Sequence, residues 1–376
     1  MAEAARAMVV LHATDAASVF LEARARMADS SPASVEHELY DEATVLRILA
    51  MRRTLFLMPI EDVQIVHAAA SRAVAVSERK RTIGMLTNAG IGPDPARMLE
   101  ELEEIGLAAL REAGEATTAE LGALDPRLAQ RMTMARGKSY EGSISVASKV
   151  LFHLALDGRI ARGRPRGTWI GSQFRWSPIE RWLPGGIPAL PEDDARAELV
   201  RRWLRAFGPG TRDDVTWWTG WTVAATRQAL AAADAVEVDL DGGVTGYVLP
   251  DDAEPTPAPE PWVALLPALD ATTMGWKVRD WYLGPHRSAL FDTSGNAGPT
   301  IWVDGHIVGG WAQRRSGEVV PWLLEDIGAE TRRAIDAEAA RLEAWLGPTR
   351  VTGSFPTPLE IDLRASPDAV SRETEA

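Results

Sequence analysis

Cysteine is absent from this chain, which excludes a disulfide framework, thiolate metal sites and cysteine nucleophiles. Long apolar runs are absent as well. Nothing approaches the roughly 20 consecutive apolar residues that a bilayer-spanning helix needs, and no basic start with a hydrophobic stretch behind it marks a secretory signal. A soluble, cytoplasmic protein with no membrane partner is therefore expected. Histidine is scarce, six in 376 residues, and widely spread. Neither H-x-x-x-H nor H-x-x-E-H occurs, so no metal site is expected. No Gly-x-Gly-x-x-Gly run or P-loop is present either. GRPRG, from Gly163 to Gly167, has no lysine–serine pair behind it to grip a nucleotide and reads as a basic turn.

What the chain does have is charge, unevenly spread. The net charge of −13 opposes nucleic acid as a whole-chain sum, but the sum hides the distribution. Between Arg136 and Trp182 nine basic residues face three acidic ones, and between Arg47 and Arg81 seven face three. Beyond Arg315 the balance reverses, with twelve acids against six bases. Basic character therefore lies in the first half of the chain, either as one channel that binds a phosphate backbone or as several separately solvated faces.

Hydrophobic periodicity divides the chain into four units. Residues 1–92 are mostly helical in spacing: DAASVFLEARARM has a one-faced apolar pattern with Thr14 or Asp15 to cap it, and SPASVEHELYDEATVLRILAM continues the helical reading from a Ser-Pro start. TLFLMP is a short extended run ended by proline, after which IEDVQIVHAAASRAVAVSERKRTIGML returns to helical spacing, with His67 on a helix face. Residues 93–188 give three helices, the third with Val146, Val150, Leu151 and Leu154 as its stripe, and then RIARGRPRGTWIGSQFRW as strand, basic turn and strand. That is the order of a winged helix, whose third helix can enter a major groove while the wing touches backbone. Residues 189–252 partly repeat it. The second wing carries Glu237, Asp239 and Asp241, so phosphate repulsion marks it as a structural repeat, and Trp217, Trp218 and Trp221 are read as packing. Residues 253–365 begin with the linker DDAEPTPAPEP and continue as a small β unit with a tight turn at Asp304-Gly305. A late helix follows, with Ile335, Ala339, Leu342 and Leu346 on one stripe. The fold class expected is α+β: tandem winged-helix modules followed by a small C-terminal β domain closed by a helix. The terminal SPDAVSRETEA is expected to fray.

MRRTLFLMP, ALLPALDATTMGWKVRDWYLG and TIWVDGHIVGGWAQR, taken with the two winged-helix patterns, resemble bacterial winged-helix DNA glycosylases of the AlkZ/YcaQ type over most of residues 1–360. The resemblance implies tandem winged-helix modules that cradle double-stranded DNA, alkylated or crosslinked, in a basic channel. It also implies hydrolysis of the N-glycosidic bond of alkylated purines by a monomer without a cofactor. In that family a Gln-x-Gln or Gln-x-Asp motif near the N-terminus supplies the catalytic side chains. LHATD stands in its place: His12 falls at the first glutamine, Thr14 at the second active position, and Asp15 at an aspartate that often follows. MRRTLF departs from the family's RGTLH-type segment, with Arg53 for glycine and Phe56 for histidine.

His12, Thr14 and Asp15 are thus the candidate catalytic residues. A neutral His12 accepts a proton from water, Thr14 positions that water, and Asp15 orients His12 or supports a cationic sugar. The competing reading makes His12 a half-buried strand-end residue, Thr14 a helix cap and Asp15 a favourable first-turn charge. Arg52, Arg53, Arg136, Lys138, Arg162, Arg164, Arg166 and Arg175 are the candidate DNA contacts, Gly and Pro exposing the three at 162–166 on a turn. Asp270, Trp276, Lys277 and Arg279 are read as core and interdomain packing, with direct DNA contact as the alternative. Two function classes remain: a monofunctional glycosylase acting on bulky alkylated purines, and a noncatalytic winged-helix DNA-binding or regulatory protein.

Overall fold

The computed structural model of the chain describes residues 1–134, 137 and 141–365. The first unit runs through α1 (Ala2–Ala7), β1 (Leu11–His12), α2 (Ala16–Arg26), α3 (Pro32–Tyr40), the hairpin of β2 (Val45–Leu49) and β3 (Leu55–Pro59), α4 (Val63–Val66) and α5 (Arg72–Asn88). A π-helical turn over His67–Ser71 joins α4 to α5. Such a turn misaligns backbone groups, and the Trp221 indole meets one of them, donating to the Ala69 carbonyl at 3.0 Å. Two expectations change here. Val45–Leu49 is a strand, not a helix: all five residues are buried, and a strand covered on both faces reads as an unbroken apolar run that periodicity cannot tell from helix. The cap of α2 is Asp15, not Thr14, its side chain accepting from the Ala17 N–H at 2.9 Å.

The second unit is α6 (Pro95–Ala113), β4 (Ala116–Thr117), α7 (Thr118–Gly122), α8 (Pro126–Ala129), a hairpin of β5 (Arg131–Met134) and β6 (Gly142–Ser145), α9 (Val146–Leu156), β7 (Ile160–Pro165) and β8 (Phe174–Pro178). Thr117 and Glu120 form a capping box at α7. The β5–β6 hairpin was not expected, because its strands are short and Met132, Met134 and Ile144 are their only apolar side chains. Arg136 and Lys138 lie outside the described residues. Third come α10 (Glu192–Phe207), α11 (Arg212–Thr219), α12 (Val223–Ala232), β9 (Val236–Leu240) and β10 (Val244–Val248), with Gly210 bridging to Tyr247. In both units helices precede a terminal antiparallel hairpin, consistent with a winged-helix arrangement.

The last unit contains β11 (Val263–Leu266), α13 (Asp280–Leu283), α14 (Arg287–Leu290), β12 (Thr300–Val303), β13 (His306–Gln313), β14 (Val319–Leu323), α15 (Ala329–Leu346) and α16 (Pro358–Ala365). Its four strands form one antiparallel sheet in chain order, flanked by α15 and α16. The β12–β13 turn is Asp304-Gly305, both with positive φ, and the residues α15 buries are Ile335, Ala339, Leu342 and Leu346. α16 was not expected, and the SPDAVSRETEA segment lies outside the described residues.

The two ends of the chain meet on α2. Arg26 clasps Asp270 through two bonds of 2.8 and 2.7 Å, the Ser18 hydroxyl donates to the Ala268 carbonyl at 2.9 Å, and the Trp345 indole donates to the Ser30 carbonyl at 2.8 Å. Asp15 also accepts from the Ser354 N–H at 2.9 Å and its hydroxyl at 2.7 Å.

The sheet of the first unit has the order β1-β3-β2, and the β2–β3 connection is a tight turn in which Thr54 N–H donates to the Met51 carbonyl at 3.0 Å. Its central residues, Arg52 and Arg53, have φ of 53° and 66°, the left-handed pair that such hairpins normally give to asparagine and glycine. A side chain there costs about 1–2 kcal/mol. Arg53→Gly should therefore raise the urea stability by about 0.5–1 kcal/mol once the flexibility of glycine in the unfolded chain is counted. Arg53→Ala, which keeps the Cβ, should show no gain; equal stabilities for the two variants would refute the strain.

Candidate functional site

β1 is only two residues long, and its register decides what faces where. Leu11 lies opposite Leu57 and His12 opposite Phe56, while the Ala13 N–H donates to the Leu55 carbonyl at 2.9 Å. Leu11 and Leu57 therefore enter one core, and the His12 and Phe56 rings meet edge to face on the other side, 5.5 Å between centroids. Phe56 is backed by the buried Trp218.

The His12 ring is half-buried. Its Nδ1 is sealed without a partner, so Nε2 is the nitrogen that can meet water or a ligand. Burial, and then the charge of Arg52, push its pKa down to about 3, so the imidazole is neutral at physiological pH. Thr14 is exposed two residues on. Asp15 does not join them: it is buried, and its oxygens are taken by Ala17 and Ser354. Its observed contacts neither orient His12 nor face a ligand. Behind β1 lies an acid that sequence reasoning missed. Glu22 is fully buried on α2 and accepts the His12 backbone N–H at 3.2 Å. Burial and the nearby charge of Asp270 hold its carboxyl well above the usual range, which favours the protonated acid. Asp270 itself is engaged by Arg26.

The candidate DNA contacts separate by what already binds them. Arg164 pairs with Asp41 and Glu36, Arg175 with Glu115, and Arg53 with Glu78 at 3.2 Å. Arg162 is half-buried between the rings of Phe174 and Trp176, and burial together with the charge of Arg47 pushes it down to about 10. Arg166 and Arg52 make no ion pair among the described residues. Of these cations the structure brings Arg52 to His12. The wing arginines belong to β7 and β8, which adjoin β2 at the far edge of the first sheet. Arg279, read as packing, was the second omission. It is buried, and like Arg52 it lies over the half-buried Trp217 ring. Trp218 and Trp221 are packed as expected.

The model of the DNA glycosylase AlkZ-like family matches residues 5–345. The chain belongs to the AlkZ-like family. Among solved structures, the Streptomyces sahachiroi DNA glycosylase AlkZ is similar to it, with a TM-score of 0.67 and 21% identity over 93% of this chain and 92% of that one. At that identity the likeness establishes a shared fold. None of the curated proteins matches it. His12 and Phe56, the two positions at which the chain departs from the resemblance noted above, are direct cross-strand partners. Among the described residues no cluster of three or more His, Asp or Glu is arranged to hold a metal ion, and no helix is long and apolar enough to cross a membrane.

Asp15→Ala should lower stability by about 2–4 kcal/mol in urea unfolding, because it removes a helix cap and two buried bonds to a carboxylate. Asp15→Asn should lie between it and the wild type. An unchanged urea midpoint in both would contradict the structural role. His12 should also leave a signature in pH. Its folded pKa lies below its unfolded value of about 6.5, so the unfolded chain binds the extra proton and stability falls as pH drops from 6.5 toward 3. His12→Asn should flatten that slope, and His153, also pushed down to about 3 by burial and then by Arg79 and Lys149, supplies a second share.

Proposed function

We propose that this AlkZ-like protein binds double-stranded DNA and hydrolyses the N-glycosidic bond of bulky alkylated purines, as a monomer without a cofactor. The observation that carries the reading is a neutral histidine with an open Nε2, beside an exposed threonine and an arginine without a counter-ion, at the position of the family's catalytic motif. The units 1–92, 93–188, 189–252 and 253–365 would surround the duplex, with Arg52, Arg53, Arg162, Arg164, Arg166 and Arg175 as backbone contacts. Arg53, Arg164 and Arg175 already hold carboxylates and Arg162 lies between two aromatic rings, so these four would contact phosphate only by exchanging partners; Arg52, with one face on Trp217, and Arg166 have no ion pair among the described residues to exchange.

The site suits an easy leaving group. An N7-alkylated purine is already cationic and departs without being protonated, so the enzyme must place water near C1′ and tolerate positive charge on the sugar. With a pKa near 3, His12 is too weak a base to hold a proton at neutral pH, but its lone pair orients a water by accepting its hydrogen bond. Thr14 contributes a hydroxyl to the same water. The carboxyl groups near β1 are buried, in Glu22, or engaged, in Asp15 and Asp270, so a neutral substrate base would find no open carboxyl group to help it leave.

The test is base release from duplex DNA carrying N7-alkylguanine, followed as free base and abasic sites. Wild-type protein should release the base, His12→Ala should slow release by roughly a hundredfold, and Thr14→Ala by less. Retention of the duplex without any release would assign the site to noncatalytic DNA binding.

A further inference from the structure

Two guanidinium groups near the site, Arg52 beside His12 and Arg279 beside Arg52, have no counter-ion among the described residues. Arg279 is 3% exposed, yet its best contact is a neutral one, Nε donating to the Trp276 carbonyl at 2.9 Å. The Gly295 carbonyl at 3.5 Å and the Met274 sulfur at 3.7 Å are at the edge of interaction. Asp214 is the carboxylate whose charge favours Arg279. Its oxygens are occupied by the Thr211 N–H and hydroxyl, at 3.0 and 2.6 Å, and by the backbone N–H groups of Lys277 and Val278, at 2.8 and 3.2 Å. Arg52 has a buried Nε with no partner. Its Cζ lies 4.2 Å from the centroid of the Trp217 ring, and that of Arg279 lies 4.8 Å from it. A Cβ on Gly220, the left-handed residue that ends α11, would come within 3.1 Å of the Arg52 Cγ, so that helix end holds the arginine stem closely. The contrast with Arg26 is informative: equally enclosed, it has Asp270 in a two-bond clasp.

A guanidinium withdrawn from water is retained when something pairs with it, and among the described residues no carboxylate pairs with these. We propose that Arg52 and Arg279, both packed on Trp217, bind a single phosphodiester group of the DNA strand whose nucleotide lies at His12. The fork of N–H donors on each guanidinium matches phosphate oxygens, and Trp217 fixes both planes by cation–π contact. Burial and the charge of Arg279 push the Arg52 pKa down to about 10, and a bound anion reverses that repulsion. The assignment also resolves a conflict in the proposed reaction, on which it rests. Two uncompensated positive charges would oppose a cationic alkylpurine and a sugar becoming cationic, and one phosphate between them cancels much of that field. Lys277 and Val278 on the adjoining loop and Trp281 on α13 are exposed, so the strand has room to approach from that side.

The experiment uses the full chain and two probes, inorganic phosphate and a short undamaged duplex. Phosphate at matched ionic strength should raise the melting temperature of the wild type above its value in chloride, and Arg52→Gln should abolish the rise. For the duplex, the slope of log affinity against log salt should fall by about one in Arg52→Gln and in Arg279→Lys, with affinity lowered about tenfold, while Arg333→Gln on α15 changes neither. Arg52 is half-exposed, so its variant reports even where a change at the buried Arg279 impairs folding. A wild type that binds duplex with the same slope and affinity as both variants overturns the phosphate site and leaves the DNA reading standing. Phosphate stabilisation lost in Arg52→Gln, without any duplex binding, upholds the anion site and overturns the DNA reading. No response of either probe to either substitution overturns the assignment.

Discussion

Everything at the candidate site hangs on two residues of edge strand. Leu11 and His12 pair with Leu57 and Phe56, and a slip of one residue would exchange them, driving an imidazole into the core and a leucine out of it. The register is protected from both sides. On one, the chain turns directly into α2, whose cap Asp15 is anchored to Ser354. On the other, Glu22 reaches back from the same helix to the His12 N–H. Both faces of β1 are thus determined by the docking of α2, and α2 docks on the last unit through Ser18, Arg26 and Ser30. The N-terminal motif is built by residues more than two hundred positions away.

That dependence gives the acids around β1 a structural purpose. Of the acids near β1, Asp15 is an anchor, Glu22 is pushed toward its protonated form by burial, and Asp270 is clasped by Arg26. The cations around the site are the reverse case. Arg164 and Arg175 of the wing are held by carboxylates, whereas the two arginines against Trp217 form no ion pair among the described residues. Pairing, and not the local count of charges, separates cations that hold the fold together from cations open to a phosphate.

Where a physical rule operates within a few residues, the sequence could be read directly. The stripe of α15, the Asp304-Gly305 turn and the Thr117–Glu120 box are local, and all appear as the pattern implies. Where packing decides, it could not. Val45–Leu49 looks helical because burial on both faces erases the alternation that betrays a strand, and the β5–β6 hairpin carries too few apolar residues to announce itself. The wing reads as a basic patch because its partners, Asp41 and Glu115, belong to other elements.

By itself the sequence determined the AlkZ-like pattern, the order of helices and hairpins, and the presence of a histidine and threonine at the motif, since each is a matter of residue type and spacing. Only the tertiary structure decided that His12 is neutral with one open nitrogen, that Asp15 is an anchor, and that Arg52 and Arg279 stand together without a counter-ion. Desolvation and ion pairing depend on which atoms lie within a few ångströms, and those neighbours come from strands and helices that are distant along the chain.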